Sequence, residues 1–149
     1  MTDVAFYHLT RKALEQALPE LLEKVVERGM RAVVLTGSDE RRKALNDLLW
    51  TYSREGFLPH GTAEDGHADR QPVWLTVEEE NPNDAGVLLL VDGMDADFKG
   101  GFARCLDLFD GRDAEAVARA RDRWRAAKAA GHSCTYWKQS ESGGWERGG

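Results

Sequence analysis

The stretch RAVVLTGSDE, residues 31–40, decides the fold class of this chain. Its first part is a run of small and branched apolar residues that predicts a buried strand over residues 31–36. Gly37 then supplies the turn, Ser38 is a suitable N-cap, and the two acidic residues that follow favour the positive end of a helix dipole. A strand that passes directly into a capped helix is typical of an α/β protein.

Strands and helices continue to alternate on both sides of this stretch. Apolar runs of strand length predict further strands over residues 4–9, 73–77 and 87–91. Strands that alternate with helices form parallel pairs through helical crossovers. The sequence therefore predicts one layered αβα domain, Rossmann-like, with a mostly parallel central sheet.

Three further helices are predicted from apolar residues at helical spacing. The first ends before Gly29, and Pro19 either kinks it or opens its main part. The others are predicted from the spacing of Phe102, Cys105, Leu106 and Phe109, and over residues 114–130.

The composition is that of one globular domain. Of the 149 residues, 42% are hydrophobic and 31% charged. No apolar run approaches the roughly 20 residues that cross a bilayer, and the first residues do not form a signal peptide. The two cysteines, outside any redox motif, favour free thiols in a reducing compartment. We therefore expect a cytoplasmic protein without a membrane partner.

Charge is distributed unevenly along the chain. The formal net charge is −6 at pH 7, yet residues 112–138 carry seven cations and three anions. An acidic chain is a poor general binder of nucleic acid, because phosphate contacts need clustered cations. Its one basic helix suits an acidic peptide at least as well as a nucleic acid strand.

Large apolar residues also cluster in residues 48–61. Glycine and proline within this segment end the helix that began at Ser38. Trp50, Phe57 and Leu58 therefore do not all lie on one helix face. Each side chain either packs into the protein's own core or belongs to an apolar surface for a partner, since interfaces are rich in aromatic residues.

The last helix combines cations with an aromatic ring. Arg121, Trp124, Arg125 and Lys128 share one face at helical spacing, and Val117 belongs to an adjoining apolar stripe that includes Trp124. Such a border between apolar and basic side chains suits a small pocket that accepts a carboxylate. The alternative interpretation is a solvated arginine face with Trp124 packed inward.

Several of these segments, in order and spacing, resemble the chi subunit of bacterial DNA polymerase III. The resemblance covers about residues 4–138. It is carried by FYHL at residues 6–9, LLW at 48–50, FLPH at 57–60, ARDRWR at 120–125, AGH at 130–132 and YWK at 136–138. It divides the chain into a chi-like domain, residues 1–138, and a glycine-rich tail, residues 139–149, which we expect to be flexible with Trp145 as its anchor.

The resemblance implies a binding site on the last helix for the acidic C-terminal tail of single-stranded DNA-binding protein. Arg121 would hold the terminal carboxylate, and Trp124 would form the pocket wall in place of the family's frequent tyrosine. Arg125 would be the adjacent basic contact, Lys128 would meet acidic residues further up the tail, and Val117 belongs to the same site.

The resemblance also implies a second interaction surface, which binds either the psi subunit of the clamp loader or a helicase. Its expected residues are Trp50, Phe57, Leu58, Pro59 and His60. The implied function is a noncatalytic accessory subunit of the polymerase III holoenzyme that associates with DNA indirectly. No catalytic residue, metal or cofactor is expected.

Two other functions remain as alternatives. Asp92, Asp95 and Asp97 follow a predicted strand, where α/β enzymes often hold magnesium, so a small metal-dependent nucleotide or phosphoester enzyme is one alternative. The other is direct binding of single-stranded nucleic acid by the basic helix, with strong salt dependence.

Overall fold

The computed structural model of the chain describes residues 2–10, 13–51, 60–62, 67, 71–96, 100–140 and 145–148. The helices are α1 (Leu14–Glu27), α2 (Asp39–Thr51) and α3 (Ala114–Ala129). The strands are β1 (Asp3–Leu9), β2 (Ala32–Leu35), β3 (Val73–Thr76), β4 (Val87–Leu90), β5 (Arg104–Asp110), β6 (Ser133–Gln139) and β7 (Trp145–Gly148).

In the described part of the chain, the strands form one mixed sheet in the order β3-β2-β4-β5-β1-β6-β7. All neighbouring pairs are parallel except β6 and β7, which are antiparallel. The predicted fold class, a layered α/β domain with a mostly parallel sheet, is confirmed.

The two faces of the sheet are covered by different elements. Helices α1 and α2 lie on one face, in the same apolar cluster as alternate residues of β1 such as Ala5 and Tyr7. Helix α3 covers the other face, where it meets Val4 and Phe6. Because both faces are buried, the central strands are almost continuously apolar.

The strand-to-helix unit at residues 31–40 forms as predicted. All four residues of β2 are buried, and the Ser38 side chain accepts a hydrogen bond from the Arg41 backbone N–H (3.2 Å) at the start of α2. Leu45 and Leu49 then face the core. In contrast, α1 begins at Leu14 and continues through a buried Pro19. Of the two alternatives for Pro19, the one in which the main part of the helix opens there is wrong.

The prediction of a helix from Phe102, Cys105, Leu106 and Phe109 is wrong, because residues 104–110 form strand β5. β5 lies between β4 and β1, and its side chains are buried on both faces. A short apolar run of this kind fits a helix stripe and a doubly buried strand equally well. The carboxylate of Asp107, in the middle of β5, is buried as well, because it forms an ion pair with Arg123 of α3.

The end of the chain adds two strands that were not predicted. β6 pairs with β1, and β7 returns antiparallel along β6. Trp145 of β7 packs edge-on against Tyr7, with 4.9 Å between the ring centres. Residues 141–144 lie outside the described residues, so the flexibility of the tail stays a prediction. Within the described ranges, no helix has the length and apolar character needed to span a bilayer.

Candidate functional site

Helix α3 is capped at its start and held against the sheet along its inner side. The Asp113 side chain caps it, accepting hydrogen bonds from the backbone N–H groups of Glu115 (3.0 Å) and Ala116 (3.5 Å). On its inner side, Arg123 donates two hydrogen bonds to Asp107 of β5, at 2.6 and 3.0 Å. Both side chains are buried, so this ion pair sets the position of α3 on the sheet.

The environment of Arg123 keeps it charged. Burial alone would lower the pKa of its guanidinium, but the hydrogen bonds to Asp107 and the negative charge of that carboxylate raise the pKa above its ordinary value. Arg123 is therefore committed to Asp107 and is not available to a ligand.

A cavity of about 370 Å³, the α3 pocket, opens between the outer edge of α3 and the sheet. Its walls are aromatic: Trp124 packs against Phe6 and Tyr136, with ring centres 5.3 and 6.4 Å apart. Phe6 and Tyr136 lie directly opposite each other on β1 and β6. The lining residues are Phe6, Phe109, Val117, Ala120, Arg121, Trp124, Lys128 and Tyr136.

Two cations border this aromatic pocket. Lys128 places its ammonium 4.9 Å from the centre of the Trp124 ring, within the range of a cation–π contact. Arg121 is exposed and forms no ion pair with any described residue. The rim thus carries positive charge that no described carboxylate neutralises, which is the arrangement that an anionic group with an aromatic end requires.

A histidine supports the pocket wall from behind. The Nε2 atom of His8 faces the Gly111 carbonyl at 3.3 Å, and Nδ1 is hydrogen-bonded to the Tyr136 hydroxyl. Since a carbonyl only accepts, we assign the ring proton to Nε2, so Nδ1 accepts from Tyr136. Glycine is required at position 111, because a methyl group there would overlap the His8 ring.

Both partners of this hydrogen bond are held neutral near pH 7. Burial is the main cause that lowers the pKa of His8, and the charges of Lys138 and Arg121 add to it, while the Gly111 carbonyl opposes it. Burial also raises the pKa of Tyr136, against the smaller effect of Arg121. The pocket wall therefore contributes a neutral aromatic surface, and the charge comes from α3.

Arg125 lies outside the pocket lining. Its side chain is 76% exposed and forms an ion pair with Asp122 at 3.3 Å, one turn away on the same helix. An exposed pair of this kind contributes little to stability and exchanges readily with solvent or ligand.

The second predicted surface is only partly described. Trp50 is 53% exposed, and its ring stacks at a tilt on the ring of the buried His60, with 4.7 Å between centres. Phe57, Leu58 and Pro59 lie outside the described residues. Trp50, one of the residues predicted to bind a partner, is thus an exposed aromatic side chain.

Comparison with known proteins identifies the family of this chain. The sequence model of the family described as "DNA polymerase III chi subunit, HolC" matches residues 1–135.

The chain belongs to this chi subunit family.

Individual relatives agree with the family match. The chain is 36% identical over 95 residues to the "Probable DNA polymerase III subunit chi" of Rickettsia prowazekii, an alignment covering 64% of this chain and 58% of that protein. It is 25% identical over 120 residues to the Escherichia coli chi subunit, covering 80% and 81%. The Pseudomonas aeruginosa chi subunit is 29% identical over 135 residues, covering 89% and 93%.

In this chi-family chain, the structure brings together four of the five residues predicted for the tail site. Val117, Arg121, Trp124 and Lys128 line the α3 pocket, and Arg125 does not. Helical spacing placed Arg121, Trp124 and Lys128 on one face of α3 together with Arg125, and the family resemblance assigned that face to the tail.

Sequence reasoning missed the sheet side of the pocket. Phe6, Phe109 and Tyr136 come from three different strands, and only the strand order β5-β1-β6 brings them together. The alternating direction of side chains within a strand places these aromatic residues on the face that α3 covers, but no local pattern shows that the three strands are neighbours.

The carboxylates considered for a metal have structural roles where they are described. Asp92 accepts hydrogen bonds from the Gly37 backbone N–H (3.2 Å) and from Arg41 (3.0 Å), which ties the start of α2 to the end of β4. Asp95 accepts a hydrogen bond from the Ala96 N–H, and Asp97 lies outside the described residues. Within the described residues, no group of three or more potential ligands has metal-site geometry.

Proposed function

We propose that this chi-family chain is a noncatalytic accessory subunit of the DNA polymerase III holoenzyme that binds the acidic C-terminal tail of single-stranded DNA-binding protein in the α3 pocket. The observation that supports this proposal most strongly is the combination of an aromatic cavity with cations at its rim. The family membership supports the association with the polymerase.

The shape and chemistry of the pocket suit a peptide that ends in phenylalanine. A terminal phenyl ring would contact Trp124, Phe6 and Tyr136, which stand at angles that allow edge-to-face packing. The α-carboxylate at the same residue would then lie near the rim, where Arg121 offers a guanidinium without a carboxylate partner among the described residues.

The other cations would interact with acidic residues further up the tail. Lys128 is held beside Trp124, on the opposite end of the pocket from Arg121 along α3. Arg125 would exchange its exposed partner Asp122 for a tail carboxylate, so its contribution is smaller than that of Arg121.

The proposal includes a second contact, with the psi subunit of the clamp loader or with a helicase. Its proposed residues are Trp50, Phe57, Leu58, Pro59 and His60; exposed Trp50 supports a contact in this region. Two linked contacts raise the effective concentration of each partner at the other. The subunit would thereby keep the polymerase at coated single strands while touching DNA only indirectly.

Calorimetric titration with two synthetic peptides tests this proposal. One is an acidic peptide that ends in Pro-Phe, and its control lacks the final Phe. We expect saturable binding that requires the Phe and weakens as salt is added, since the rim contacts are charged. Equal binding of both peptides, or binding of neither, would contradict the proposal.

A further inference from the structure

A second cavity, the α1 cavity, lies on the opposite face of the sheet from the α3 pocket. It has a volume of about 330 Å³ and lies between the end of α1, the starts of β4 and β5, and the strands β6 and β7. The proposed function assigns no role to this cavity.

The walls of the α1 cavity are formed by large aromatic side chains. Tyr7 stands at nearly a right angle to Trp145, and Trp137 belongs to the same wall. Both tryptophans are only partly buried where they pack against the core, so part of each ring remains exposed to the cavity. Leu21 and Leu106 complete an apolar floor.

Three cations line the rim of the α1 cavity. Lys24 and Arg28 lie one turn apart at the end of α1, and Arg104 is the first residue of β5. None of the three forms an ion pair with any described residue. Asp3, the register partner of Arg104, is exposed and makes no ion pair with it.

The fold alone does not account for this charge. The negative end of the α1 dipole favours Lys24 and Arg28. It does not account for Arg104, which comes from a strand, and no carboxylate lines the cavity among the described residues. Aromatic walls and uncompensated cations together are complementary to an apolar side chain flanked by carboxylates.

We propose that the α1 cavity is a second peptide-binding site, which takes one large apolar side chain from an acidic segment of a partner protein. The partner is a peptide and not a nucleic acid strand, because the rim of this small, partly open cavity carries only three cations in a chain of net charge −6. A nucleic acid strand would require a longer track of cations along an open groove. This site is independent of the α3 pocket, since the sheet separates the two.

The test uses the full chain and the peptide acetyl-Asp-Asp-Phe-Asp-Asp-amide, whose blocked end cannot supply an α-carboxylate. The five indole N–H signals are followed by NMR and assigned with single Trp→Phe variants. We expect the signals of Trp137 and Trp145 to shift saturably. Arg28→Gln should weaken this binding about tenfold, whereas Arg119→Gln, an equal change of charge on α3, should leave it unchanged.

Three results would overturn the proposal. Unshifted Trp137 and Trp145 signals, whether or not the Trp124 signal shifts, would show that the cavity does not take such a peptide. Equal binding of a control peptide with Ala in place of Phe would show that no apolar side chain enters. Displacement of the peptide from Trp137 and Trp145 by a dT oligonucleotide at equal concentration would assign the cavity to nucleic acid.

Discussion

The two sides of α3 use arginine in opposite ways. Arg123 faces the sheet, is 8% exposed, and is neutralised by Asp107 of β5. Arg121 lies at the rim of the α3 pocket and forms no ion pair with a described residue. The first residue positions the helix, whereas the second offers its charge to a ligand. A count of cations on a helix therefore does not locate a binding surface until their partners are known.

Removing the inner arginine is expected to have the largest effect. Arg123→Met removes the cation that neutralises the buried Asp107, which should lower the free energy of unfolding by about 3–5 kcal/mol. Arg119→Met removes an exposed cation from the same helix and should change it by less than about 0.5 kcal/mol. Urea denaturation measures both variants. Equal stability of the two variants would show that the buried pair does not position α3.

The second largest effect is expected from a substitution that displaces His8, the residue that supports the wall of the α3 pocket. Gly111→Ala places a methyl group in the space of the His8 ring, and such overpacking costs about 1–3 kcal/mol. Because His8 is bonded to Tyr136, we also expect weaker binding of the tail peptide. Thermal unfolding and peptide titration give the two values. Unchanged stability would mean that His8 moves aside freely.

Removing the outer arginine should affect binding and leave stability unchanged. We expect Arg121→Ala to change the free energy of unfolding by less than about 0.5 kcal/mol and to weaken the tail peptide about tenfold. Arg125→Ala, which removes a cation outside the pocket, should weaken it by at most about fivefold. Calorimetric titration compares them. A larger loss in Arg125→Ala than in Arg121→Ala would place the carboxylate elsewhere.

The smallest expected effect is electrostatic. Burial, and to a lesser degree Arg121, lowers the pKa of His8 below 6.5 in the folded chain, so the unfolded chain binds the proton more readily than the folded chain does. The contribution of neutral His8 to stability is therefore lost as the pH falls below about 6.5. Arg121→Ala should raise the pKa of His8 part of the way towards 6.5, and Arg119→Ala should leave it unchanged. NMR titration of the His8 ring measures it, and a wild-type value at or above 6.5 would contradict the account.

The sequence predicted the local parts of this fold and failed where distant segments meet. The unit from β2 to α2 was predictable because its strand, Gly37 and the Ser38 cap are adjacent in the chain. The sequence predicts a helix where β5 forms, because burial on both faces removes the alternation of apolar and polar residues that marks a strand. β6 was missed because its half-exposed side chains form no apolar run.

The candidate site divides in the same way. Arg121, Trp124 and Lys128 were predictable from helical spacing. Their aromatic partners Phe6 and Tyr136 are neighbours only through the register of β1 and β6, which no local pattern contains. The buried role of Arg123 was also hidden, since its partner lies on β5, where the sequence predicts a helix.

The most direct test combines two changes in one set of titrations. The tail peptide is prepared with a free C-terminal carboxylate and with an amide, and each is titrated into the wild type and into Arg121→Ala. If Arg121 holds the carboxylate, the amide should cost the wild type about tenfold in affinity and cost Arg121→Ala almost nothing. If the amide weakens both proteins equally, the carboxylate is bound by another group and the assignment of the carboxylate to Arg121 is wrong.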